Sequence, residues 1–193
     1  GPPPARRSGL PTWSGARFAF YDEPVSPRVR RATAVDIDAL ERIETAADDI
    51  VKDLLGVDDW GAVTCGPARV SMPGFILVAA DDESDAAVGF AHVVERPDSV
   101  HLDQLSVLPS HARRGLGRAL LMAAMSEAAE RGGTRMTLVT YADVPWNAPF
   151  YRTCGFVEDS TDSALARSLL LTESEAELAR YGRRVPMVAE LST

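Results

Sequence analysis

At 193 residues with 46% hydrophobic content, the chain is long enough to build one domain around a sizeable core, and no apolar run approaches the roughly eighteen residues that span a membrane. A formal net charge of −8 disfavours general nucleic-acid binding and suits cationic amine ligands. Cys65 and Cys154 have neither metal nor disulfide spacing, and the opening run with Pro2, Pro3, Pro4, Arg6 and Arg7 has no signal-peptide core, so a reducing cytoplasm is expected.

Residues 1 to 26, rich in Pro, Gly, Arg and Ser, read as a tail that is flexible or docks through Trp13, Phe18, Phe20 and Tyr21; residues 27–193 read as the domain. A strand-like RVRRAT begins the domain and leads to Asp36, a plausible helix cap. The apolar spacing Ile37, Leu40, Ile43, then Ile50, Leu54, Leu55 predicts two helices. Three strands follow, Phe75–Ala80, Ala87–Glu95 and Val100–Leu108, separated by acidic and Pro-containing turns as in an antiparallel meander. Ala119, Leu120, Leu121, Ala123, Ala124 and Met125 predict a helix that Gly132 and Gly133 end. Then come a strand over Met136–Thr140, a short helix over Trp146–Thr153, a strand from Phe156, a helix over Thr172–Tyr181 with a Thr172/Glu175 capping pattern, and a closing strand Val185–Leu191.

The segment LDQLSVLPSHARRGLGRALL, Leu102–Leu121, runs from strand through a basic Gly-containing turn into a helix, which is the form of an anion cradle. A helix N-terminus offers unpaired N–H groups and a positive dipole end, and Gly115 and Gly117 leave backbone open to a phosphate. Arg113, Arg114 and Arg118 add charge. The P-loop pattern is excluded because Arg118 and Ala119 follow Gly117 in place of Lys and a hydroxyl, and the dinucleotide pattern because Leu120 stands where its third Gly belongs.

This turn resembles the [Q/R]-x-x-G-x-[G/A] signature of the GNAT superfamily of acetyl-CoA-dependent N-acetyltransferases, with one departure: Ala112 fills the Gln/Arg position. A second segment, Asn147 to Phe156 (NAPFYRTCGF), is similar to the family's N-x-x-x-[FY]-Y-x-x-x-G-F. The resemblance covers about Arg28 to Leu191. It implies an α/β (α+β) fold with a central mixed, mostly antiparallel sheet of about seven strands flanked by helices, and a splayed pair of strands forming the acetyl-CoA cleft. It also implies acetyl transfer to an amine by direct attack in a ternary complex, without a metal. The CoA pyrophosphate would lie on main-chain N–H groups of Arg113, Arg114, Gly115, Leu116, Gly117 and Arg118. Leu105 N–H would meet the thioester carbonyl, Val107 would pair with the pantetheine amide, and Asn147 would bond the pantetheine arm. Tyr151 would protonate the departing thiolate; its other reading is a core aromatic with Phe150 and Phe156. Cys154 reads as a small buried hydrophobe.

For the base, strand alternation places His101 and Asp103 on the same face as Leu105, with Gln104 on the other. The resemblance matches this H-x-D to an H-x-H pair in arylalkylamine N-acetyltransferases. An imidazole near its ordinary pKa would take the amine proton, with Asp103 orienting it or relaying through water, and an apparent pKa of about 6 to 7.5 is expected. Merely solvated polar residues are the alternative; His92 and His111 read as structural. Glu41, Glu44, Asp48, Asp49, Asp53, Asp58 and Asp59 crowd the segment that walls the acceptor in this family, either attracting a cation or forming a solvated helix face, and Trp60 and Trp146 read as pocket or core. The expected acceptor is a small-molecule amine. A protein or peptide amine is the second reading and a non-catalytic acyl-CoA-binding sensor the third, and the reading admits a homodimer.

Overall fold

The computed structural model describes residues 28–58, 60–160, 163–175 and 178–192. Its elements are β1 Arg28–Arg31, α1 Ile37–Leu55, α2 Gly66–Val70, β2 Gly74–Ala80, β3 Ala87–Arg96, β4 Ser99–Val107, α3 Leu116–Glu130, β5 Arg135–Tyr141, α4 Ala148–Arg152, β6 Val157–Glu158, α5 Ala164–Glu175 and β7 Arg184–Glu190. Short 3-10 turns occupy Ala34–Asp36, Pro109–His111 and Leu178–Tyr181. The tail reading of residues 1 to 26 lies outside the described residues.

The seven strands form one sheet in the order β1-β2-β3-β4-β5-β7-β6. Every neighbouring pair is antiparallel except β4 and β5, which run parallel and pair only at Val100↔Met136 and His101↔Thr137. Beyond His101 the two strands diverge, so the expected mixed sheet with a splayed central pair is present. One face carries α3 over the main core, with Leu120, Leu121, Ala124 and Met136 fully buried. The opposite face carries α1, whose Leu40 and Ile43 pack on Ile76, Val78 and Phe90.

Three sequence expectations are corrected. Where two helices were expected over residues 37–55, α1 is a single helix of 19 residues. No Gly or Pro interrupts it until Gly56, whose left-handed φ of +66° closes it with a bond to the Lys52 carbonyl. The inward stripe is Leu40, Ile43, Glu44 and Val51, while Ile50 and Leu54 are 40% and 52% exposed. The short second helix is α2, opened by Pro67 near its start. Likewise, α5 begins well before Thr172: Ser163 Oγ accepts the Ala166 N–H, and Thr172 sits inside the helix with its hydroxyl donating to Ser168 C=O. Asp36 precedes α1 but reaches backward, accepting from Thr33 N–H and hydroxyl and from both terminal nitrogens of Arg30.

Candidate active site

The turn between β4 and α3 is curled by two left-handed residues, Arg113 at φ +62° and Gly115 at +79°. In such a turn successive N–H groups line a concavity suited to an anion. The first N–H to find a helical acceptor is that of Ala119, which bonds Gly115 C=O, so those of Leu116, Gly117 and Arg118 stay free of the helix ladder. No acidic residue stands in this first turn. A Cβ added at Gly117 would meet only Phe150 Cζ and Val107 Cγ2, both at an ordinary 4.0 Å. The protein itself therefore has room for a side chain there, and a helical Gly costs about 1 kcal/mol relative to Ala. Packing does not require Gly117. The Arg118 guanidinium is tied to Thr153, donating to its C=O and hydroxyl, and Arg114 donates to Ser110 C=O. Arg113 is exposed.

The gap between β4 and β5 opens directly below this turn. Leu108 N–H bonds Val88 C=O on β3, and antiparallel ladders alternate inward and outward pairs. Main-chain groups of Val107 and Leu105 therefore face away from β3, into the gap. The side chain of Asn147, which precedes α4, makes no cap and no other hydrogen bond among the described residues. Tyr151 is only 9% exposed and packs edge-on against Phe150 and Phe156 at centroid distances of 5.2 and 5.8 Å. Its hydroxyl has no hydrogen-bond partner among the described residues yet is not sealed from solvent. Burial, with the neighbouring Cys154, drives the phenol's pKa well above its ordinary value, so it holds its proton until a strong base is beside it.

The β4 residues on the other face depart from simple alternation. A bulge shifts the register so that His92 pairs with Gln104 but Val93 pairs with Leu102, which leaves Asp103 as the extra residue. Asp103 and Gln104 consequently lie on the α1 side together with His101, while Leu105 packs into the core beneath α3. The expectation that Leu105 shares a face with His101 and Asp103, and that Gln104 faces the opposite way, fails at this bulge.

His101 and Asp103 also do not pair with each other. His101, 5% exposed, bonds Thr137 Oγ1 through Nδ1 at 2.9 Å. The Thr137 hydroxyl donates to Val100 C=O, so Nδ1 carries the imidazole proton and Nε2 is left with its lone pair. Burial, then the nearby Arg96 charge, pushes the His101 pKa down to about 4, below the 6 to 7.5 expected of it. Asp103 Oδ2 instead accepts from Arg69 at 2.8 Å and from His92 Nδ1 at 3.0 Å. Although burial opposes it, these two bonds and charges hold Asp103 near pKa 2.

Arg69, 2% exposed on α2, is the centre of a network that the sequence did not disclose. Its Nη2 donates to Glu44 Oε2 at 2.5 Å, its Nη1 to Asp103, and its guanidinium lies 5.5 Å from the Phe90 ring centre. Its Nε is sealed from solvent without a partner, which costs about 1–3 kcal/mol. Glu44 is 6% exposed, and burial raises its pKa to about 7 even though Arg69 opposes the rise. One signal for Glu44 was present: it stands four residues from Leu40, on the apolar stripe. Nothing in the local sequence marks Arg69 or assigns His92 to this network. Of the other acids, Asp48 accepts from Trp60 Nε1 at 3.1 Å, and Asp59 lies outside the described residues. Trp60 stacks on Tyr181 at 5.4 Å and sits 5.8 Å from Tyr141, whereas Trp146 is exposed. His111 is structural, bracketed by Ser110 and Asp81.

The acetyltransferase (GNAT) family model matches residues 44–156, more than half the chain. The chain belongs to the GNAT acetyltransferase family. As a member it is an acyltransferase. Its fold is shared with the ribosomal-protein-S18-alanine N-acetyltransferase of Escherichia coli, at TM-score 0.60 and 19% identity over 86% of this chain and 94% of that one. A Mycobacterium tuberculosis protein solved in complex with CoA superimposes at TM-score 0.62 and 17% identity, over 86% of this chain and all (100%) of that one. The N-acetylglutamate synthase of Neisseria gonorrhoeae, solved with CoA and N-acetyl-glutamate, gives TM-score 0.60 and 17% identity over 86% of this chain but 35% of that one. Among the described residues no helix is long and apolar enough to cross a membrane, and no cluster of three or more metal-ligating side chains occurs.

Proposed function

We propose that the protein transfers an acetyl group from acetyl-CoA to a small-molecule amine by direct attack within a ternary complex. The observation that carries the donor half is the junction of three features: a curled turn with free N–H groups, a Gly117 that packing does not demand, and the open main-chain edge of β4 beside it. In this reading the pyrophosphate rests on N–H groups of Arg113 to Arg118, and the pantetheine lies along Leu105 and Val107 as an added strand. Asn147 steadies its arm. Tyr151, uncommitted and protonated, supplies the proton to the leaving thiolate.

For the acceptor, support comes from the α1 side. Trp60, from the segment joining α1 to α2, stacks on Tyr181, from the segment joining α5 to β7, and so bridges two flanks of the acceptor side. We read that aromatic bridge as one flank of a site for a compact amine and not for an extended peptide. Two carboxylates, Glu44 and Asp103, against the single Arg69 guanidinium favour a cationic amine. His101 and Asp103 shape the floor of this side; the first is too weak a base and the second too firmly paired to carry the amine proton. The test is thiol release from acetyl-CoA against polyamines, amino acids, arylalkylamines, aminoglycosides and peptide N-termini. Turnover with small amines and none with peptides is the expected result; CoA binding with no turnover on any amine would instead favour an acyl-CoA sensor.

A further inference from the structure

Resting on that reading, the geometry assigns the general base: we propose that Glu44 holds the acceptor ammonium through Oε1 and takes its proton, with Arg69 as its positioning residue. Four features of the network support this. Glu44 projects from the inward stripe of α1, which packs over β3 and β4 on the same face as His101, the last β4 residue paired before the strands splay. Its Oε2 is committed to Arg69, while Oε1 has no partner among the described residues and is not sealed from solvent. Arg69 clamps Glu44 with one terminal nitrogen and Asp103, at the β4 bulge, with the other, so the carboxylate is fixed relative to the strand along which the thioester would lie. The groups facing Glu44 are Asp48 from its own helix, which has Lys52 beside it, Arg69 from α2 and Asp103 from β4, to which His92 of β3 is bonded; two carboxylates, Glu44 and Asp103, share the one guanidinium. One further cation completes that balance.

The competing bases are weaker by their surroundings. Asp103 is held near pKa 2 and His101 near 4, whereas Glu44 stands at about 7, where a group both accepts a proton and releases it near neutrality. R–NH3+ gives one proton to Glu44, which later passes it to solvent. The free amine forms the C–N bond at the thioester carbonyl, and the C–S bond breaks. The second nitrogen proton replaces the one that Tyr151 gives to the thiolate, leaving amide and CoA thiol.

Ethanolamine and methylamine, two small amines of different proton affinity that both stay protonated near neutrality, serve as probes in a thiol-release assay with acetyl-CoA. The wild-type kcat/KM should rise with pH through an apparent pKa of about 7 that is the same for both. In Glu44→Gln that limb should vanish and kcat/KM fall by about 10² or more, a typical loss for a general base, while CoA still raises the thermal midpoint. In Arg69→Gln the limb should move to higher pH, because the removed charge held the carboxyl down; a purely structural arginine would lower activity without moving it. A Glu44→Gln protein with the wild-type profile overturns the assignment and leaves the acetyltransferase reading standing. Independently of turnover, carbon-13 NMR of side-chain carboxyls in the CoA complex should show a resonance, absent in Glu44→Gln, that titrates near 7 and moves to lower pH on adding methylammonium. A Glu44 midpoint near its ordinary 4.5 overturns the proposal. Loss of CoA binding in the wild type would sink the underlying reading instead.

Discussion

In the proposed reaction the two faces of the sheet carry the two halves by different means. On the α3 side the proposed donor site is built from main chain: a curled turn, a helix start and an unpaired strand edge, with a Gly117 that packing does not demand. On the α1 side the site is built from side chains of four separate elements, Glu44, Arg69, His92 and Asp103, joined by charge. A backbone site of this kind is expected to tolerate changes in most of its side chains, Ala112 in place of the family's Gln or Arg among them. A side-chain network does not, because removing one partner strands the others in a poorly solvated place.

The largest effect that tests this contrast lies where the halves meet. Tyr151→Phe keeps the ring contacts with Phe150 and Phe156 and removes only the hydroxyl, so turnover should fall by roughly 10²- to 10⁴-fold with acetyl-CoA affinity unchanged. Single-turnover thiol release measures it, and wild-type turnover would return Tyr151 to the core aromatics.

The side-chain half should announce itself in stability against pH. Glu44 is raised from 4.5 to about 7 in the fold, so between those values the native state binds the extra proton and stability falls as pH rises. His101 is lowered from 6.5 to about 4, so over that window the unfolded state binds more protons and stability rises with pH. Each contributes roughly 3 kcal/mol at about 1.4 kcal/mol per unit, and between pH 4.5 and 6.5 they oppose each other. Denaturant titrations should therefore show a shallow wild-type profile there, a rise in Glu44→Gln and a fall in His101→Asn. Parallel profiles in all three proteins would remove the two buried titrations.

In the main-chain half, Gly117→Asp should fold normally, since a Cβ fits and an acid suits a helix start, yet lose CoA. At a CoA concentration of about 100 Kd the wild type gains about 2.7 kcal/mol; the variant should gain none by calorimetry, and an unchanged gain would move the pyrophosphate elsewhere. The smallest effect is expected on the outer face of α1. Ile50→Lys should change stability by less than about 0.5 kcal/mol, whereas Ile43→Ala, one stripe inward, should cost about 2–5 kcal/mol. Equal costs would mean that Ile50 is buried in solution.

What the sequence carried by itself was local. The strand-turn-helix around Gly115 and the segment Asn147–Phe156 are contiguous, and their geometry follows from turn chemistry, helix-start dipoles and glycine freedom within a few residues, so the curled turn, its helix and the succession of strands along the chain were legible. Even the single helix α1 was recoverable, given that nothing between Ile37 and Gly56 breaks it. Tertiary structure alone decided the acceptor side. The bulge at Asp103 depends on how β4 registers against β3, and that one-residue shift sent Leu105 to the opposite face from His101 and delivered Asp103 to Arg69. Charge states followed from the same packing: burial lifted Glu44 on the inner face of α1 and lowered His101 on β4, and a proton's affinity for either group is set by neighbours far away in the chain, such as Arg69 and Asp103 for Glu44.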